Sequence, residues 1–123
     1  MALSLFQIAI DAHDLRGLAR FWCEVLDWKV LFDDPEEVII GAGQDAWPGI
    51  VFLPVPETKT VKNRLHLDLS PDDQQAEVDR LLALGARRVD VGQEERGDAT
   101  WVVLADPEGN EFCVLRPKSS LTD

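Results

Sequence analysis

Apolar and polar residues alternate from Leu5 to Ile10, with Phe6, Ile8 and Ile10 on one side and Gln7 and Ala9 on the other, the two-residue period of a half-buried strand. Gln7 therefore points away from the packed side. The period then changes. Leu18, Phe21, Trp22, Val25 and Leu26 recur at three- and four-residue spacing, which predicts a helix from Leu15 to about Leu26 with Asp14 as its N-cap. Trp28 to Phe32 and Val38 to Ile40 are strand-like and are joined by the acidic turn Asp33-Asp34-Pro35-Glu36-Glu37. After the loop Gly41 to Pro48, Ile50 to Leu53 reads as a fourth strand, and Pro54 and Pro56 end its ladder.

The pattern is then used again. Laying Gln7 on His66 pairs Ile8 with Leu67, Ile10 with Leu69 and Asp14 with Asp73, and the same offset pairs Lys29-Val30 with Arg88-Val89. From Arg64 onward, Leu65, Leu67 and Leu69 are expected to face the core, with His66 and Asp68 on the other side. Ser70-Pro71-Asp72-Asp73 reads as a helix start, with Ser70 as the cap and proline at the first helical position. That helix carries Val78, Leu81 and Leu82 and ends at Gly85. Arg87 to Val91, a charged loop through Gly97-Asp98, the strand Thr100 to Ala105, the turn Asp106-Pro107-Glu108-Gly109-Asn110 and the strand Glu111 to Leu115 complete the second copy. The expected class is α+β. One domain, residues 1–123, is built of two tandem βαβββ modules, 3–57 and 63–117, forming a curved, partly open mixed sheet around a central cleft.

Composition narrows the partners. A chain of 123 residues buries a core without staples, and its two cysteines, Cys23 and Cys113, lie far apart. With no apolar leader and no long apolar run, the expectation is a cytoplasmic protein with reduced thiols and no membrane partner. Twelve basic against 23 acidic residues give a net charge of -11, which repels nucleic acid and anionic membranes. Lys59, Lys62 and Arg64 reverse that sign locally; a solvated connector is the plainer account, an anion-binding role the sharper one. His13, in the polar turn before the first cap, reads as solvated.

The duplicated strand-helix starts and the closing Asp106-Pro107-Glu108-Gly109-Asn110 turn resemble the vicinal oxygen chelate superfamily of glyoxalase I, extradiol dioxygenases and bleomycin-resistance proteins. The run from Pro56 to Leu69, followed by Trp101 to Phe112, is similar to the uncharacterised glyoxalase-like domain proteins common in actinobacteria. The resemblance implies that metal-dependent members hold a divalent cation with His or Gln on the first strand of each unit and Glu on the last. Gln7 and His66 match the first-strand positions. Four residues after Gly109, where the pattern has glutamate, this chain has Cys113, and the fourth-strand position of the first half falls near Phe52. Gln, Phe, His and Cys include no carboxylate and suit Mg²⁺, Mn²⁺ or Fe²⁺ poorly. A thiolate with an imidazole suits Zn²⁺ or Cu⁺, but the set is short of donors.

Two neighbouring acids change the picture in part. Glu111 lies two residues before Cys113 and Asp68 two after His66, so each shares a strand face with its partner. Such a face supports metal-free proton transfer, with His66 as base and Glu111 beside it, unless both acids are idle at a solvated rim. The expectation is a protein that binds a small organic molecule, of anionic kind if the basic cluster counts, around Gln7, Phe52, Arg64, Asp68, Trp101 and Cys113. No cofactor is expected. The alternatives are a lyase, isomerase or dioxygenase whose divalent metal is held by Gln7 and His66 with Glu111 or Cys113, a metal-free catalyst using His66, and a regulatory protein with a filled cleft. Exposed sheet edges suggest a homodimer.

Overall fold

The computed structural model describes residues 2–90 and 100–123; the expected strand end at Val91 and the charged loop through Gly97-Asp98 lie outside the described residues. The chain divides into two compact units, Met1–Thr58 and Lys59–Asp123. In the first, β1 (Gln7–Ala12), α1 (Leu15–Leu26), β2 (Lys29–Asp34), β3 (Glu37–Gly41) and β4 (Gly49–Pro54) follow one another. The sheet order is β1-β4-β3-β2, with β1 parallel to β4 and the other pairs antiparallel.

The helix forms where its stripe recurs. Leu18, Phe21, Trp22 and Val25 are buried against β3 and β4, which contribute Val38, Ile40, Ile50 and Phe52. Asp14 caps it by accepting from the Gly17 N–H at 3.1 Å. A side chain at position 17 would run into that carboxylate, so the glycine belongs to the cap. In the acidic turn Asp34 accepts from the N–H groups of Glu36 and Glu37 at 2.8 and 3.0 Å, so it holds the turn's own backbone.

The second unit repeats the plan with β5 (Asp68–Leu69), α2 (Gln74–Leu84), β6 (Arg87–Arg88), β7 (Val102–Ala105) and β8 (Glu111–Val114) in the order β5-β8-β7-β6, β5 being parallel to β8. The architecture is thus α+β, two tandem βαβββ units each with a four-stranded mixed sheet. Its closing turn is built on Asp106, which is buried and accepts from the N–H groups of Glu108 and Asn110 and from the Asn110 amide. No helix among the described residues is long and apolar enough to cross a membrane.

Two expectations for this unit need correction. The strand foreseen from Arg64 is paired only at Asp68 and Leu69, and Leu65, expected in the core, is 86% exposed. Polar anchors described below hold this segment instead of apolar packing. The helix cap is Asp73, not Ser70: its carboxylate accepts from the Ala76 N–H at 3.1 Å, and Pro71 stays outside the helix. Asp73 is the residue that the internal repeat pairs with Asp14. At the far end Gly85 takes φ 119°, the left-handed cap that glycine adopts without strain.

Candidate functional site

In the first unit, alternation along β1 buries Ala12 and half-buries Ile8 and Ile10, while Ala9 on the other face is exposed and Gln7 is half-buried. Gln7 lines a cavity of about 290 Å³ with Phe6, Glu37, Ile39, Gly41 and Trp47. Phe6 and Trp47 meet edge to face, their ring centroids 4.8 Å apart and their planes at 90°. They stay 54% and 59% exposed, so this aromatic rim is open on its outer side. Phe6, expected on the packed side of the first strand, is therefore a rim residue.

Phe52 does not belong to this face. It is 0% exposed, packed in the core of its unit, and offers a ligand no surface. The register explains the displacement: β1 sets Ala9 beside Val51, as β5 sets Asp68 beside Cys113. Val51 is the counterpart of Cys113, and a slip of one residue along a strand exchanges its faces.

In the second unit Glu111 and Cys113 share one face of β8, and both are buried. Glu111 is not at a solvated rim. Its Oε2 lies 2.9 Å from the Lys59 Nζ and accepts from the Asn63 N–H at 3.4 Å, while the Asn63 side-chain amide donates to the Glu111 carbonyl at 3.3 Å. Burial alone pushes this carboxyl up, but the hydrogen bonds from Lys59 and the backbone, with the Lys59 charge, outweigh it and hold the group below its ordinary range. Lys59, expected as a solvated connector cation, is thus an internal counter-ion.

Cys113 has the opposite environment. Burial first, then the charge of Asp68 and a hydrogen bond to it, push the thiol up to about 11, with Lys62 opposing weakly. At neutral pH it is a protonated donor to Asp68, a poor nucleophile and a poor metal ligand. His66 is exposed, and its Nε2 lies 3.3 Å from the Lys62 Nζ, so the ring nitrogen already accepts from an ammonium. Arg64 is exposed on the same segment, and Trp101 is half-buried just before β7.

The structure therefore brings Asp68 to Cys113, Lys62 to His66 and Glu111 to Lys59, and places Gln7 in a cavity of the first unit. Among the described residues no three or more His, Cys, Asp or Glu side chains gather as a metal requires. The donors do not fit the divalent cation of the metal-dependent relatives: the thiol is neutral, the carboxylate is held by an ammonium, and a second ammonium faces the imidazole. Asn63, Glu37 and Ile39 went unread as site residues. Asn63 reaches Glu111 with its backbone N–H and its side-chain amide across 48 positions of sequence, and Ile39 reads as core, so neither carries a local sequence signal.

The glyoxalase-like domain family matches residues 7–115. No curated protein matches the sequence. Among solved structures, the fosfomycin resistance protein FosX from Mesorhizobium loti superposes with a TM-score of 0.72 at 17% identity over 99% of this chain and 97% of that one. A glyoxalase/bleomycin resistance protein/dioxygenase family enzyme from Burkholderia phytofirmans PsJN gives 0.68 at 20% identity, over 94% of this chain and all of that one. TnmS3, an antibiotic binding protein from Streptomyces sp. CB03234, gives 0.62 at 20% identity, over 96% and 99%.

Proposed function

Since this chain belongs to the glyoxalase-like domain family of the vicinal oxygen chelate superfamily, we propose that it binds a small, flat organic molecule against the Phe6–Trp47 rim, with Gln7 and Glu37 as polar contacts and without a metal. The observation that carries this reading is the edge-to-face Phe6–Trp47 pair at the mouth of a cavity of about 290 Å³. That volume is near the lower end for ligand pockets and suits one or two rings. An open pair of large rings gives a flat molecule contact area at low ordering cost, and an amide and a carboxylate set its orientation. The antibiotic-binding activity named for TnmS3 is a precedent for such use of the fold. Catalysis by His66 is the weaker reading, because the nitrogen that would take a proton is occupied by Lys62.

The test is a fragment screen by ¹⁵N–¹H correlation spectroscopy on the full chain, with chelator present. Flat one- and two-ring fragments are expected to move the amides of Gln7, Ile39 and Gly41 and the Trp47 indole, and to be recovered unchanged. Trp47→Ala, an exposed substitution, should weaken hits about ten-fold. Hits that ignore these residues, or that bind only after metal is added, would overturn the proposal. The protein is further proposed to act in the cytoplasm as a homodimer, since β1, β2, β5 and β6 are sheet edges. Light scattering at twice the 13.8 kDa chain mass checks the dimer; the monomer mass rejects it.

A further inference from the structure

The first 58 residues contain ten acidic residues and only three basic ones, Arg16, Arg20 and Lys29. All three line one groove of about 420 Å³ between α1 and β2. Arg16 is committed to Asp33, with Nη2 to Oδ1 at 2.7 Å and Nε to Oδ2 at 3.4 Å. The side chains of Arg20 and Lys29 have no hydrogen bond or ion pair with any described residue. In a unit with so many acids, two cations left unpaired at one concavity are a local reversal of potential, and low-dielectric walls sharpen it. Those walls are apolar: Ala19, Trp28, Val30 and Val38. Cys23 adds a thiol that burial and the neighbouring Glu24 keep neutral, so it brings no competing charge.

We propose that this groove is a second binding site, for a small organic anion whose apolar body lies on Trp28 and Val30 and whose carboxylate or phosphate is held by Arg20 and Lys29. Glu24 and Asp33 at the lining disfavour a further negative charge, so the ligand has one acidic group. The groove shares no lining residue with the Phe6–Trp47 cavity and stands whether or not that cavity binds a ligand.

The test is a titration of the ¹⁵N-labelled full chain with benzoate and with phenyl phosphate, against benzyl alcohol and inorganic phosphate as controls. Either anion is expected to move the Arg20, Cys23, Lys29 and Val30 amides and the Trp28 indole, and which one binds more tightly identifies the head group. Arg20→Gln and Lys29→Gln, both at exposed positions, should each weaken binding about five-fold, while Arg20→Lys largely retains it. Unchanged affinity in the double variant, equal binding of benzyl alcohol, or equal binding of inorganic phosphate would overturn the site. So would an absence of shifts in these residues.

Discussion

Glu111 and Cys113 sit two residues apart on one strand face and titrate in opposite directions, and the difference lies in their neighbours. An ammonium and two N–H groups face the carboxylate; a carboxylate faces the thiol. A carboxyl held below its ordinary value of 4.5 adds stability above that pH and loses it as pH falls through its lower, folded value. Lys59→Met removes the main compensation and leaves the buried carboxylate with only its two backbone N–H groups, those of Glu111 itself and Asn63. The variant is expected to lose about 2–3 kcal/mol at pH 7 by urea denaturation. The gap to the wild type should narrow as pH falls from 4.5 through the lowered folded value of Glu111, where the carboxyl takes up a proton in both. A gap that stays constant all the way down the acid limb would show that the Lys59–Glu111 pair does not carry the effect. The thiol position was legible, because it is counted within one turn and strand from Gly109. Phe52 was not: its place was judged from a distant proline, where an error of one residue exchanges one face of the strand for the other. The partner of Glu111 was hidden because Lys59 is remote in sequence, and only the fold sets them side by side.

Among the elements, both helices were readable from their stripes, and α1 runs from Leu15 to Leu26 as its pattern predicts. The second cap shows two local rules in conflict. Ser70 followed by Pro71 satisfies the motif for a helix start, yet Asp73 makes the hydrogen bond, and the internal repeat had already set Asp73 opposite Asp14. Asp73→Ala is expected to cost about 1 kcal/mol in urea denaturation and Ser70→Ala to be nearly neutral. The reverse order would return the cap to Ser70. The strand from Arg64 was overextended for a related reason. Leu65, Leu67 and Leu69 alternate as a strand does, but the segment ahead of Asp68 is tied down by Lys59 and Asn63, and alternation says nothing of polar anchors.

Across the whole molecule the repeat was the most informative signal, since it set out two βαβββ units, and the two sheets have equivalent strand orders. Both units have kept the strand positions where metal-dependent relatives place their donors. Here those positions have a glutamine, a valine, an exposed imidazole facing an ammonium, and a buried neutral thiol. On the proposed reading this scaffold offers a shaped, partly apolar cavity without recruiting a cation. The central claim is therefore that ligand binding in this protein does not depend on a metal. Elemental analysis of untagged protein, purified without chelator and compared with His66→Ala, tests it most directly. The account predicts far less than stoichiometric metal in both proteins, whereas one tightly held divalent ion per chain, lost on replacing His66, would contradict it.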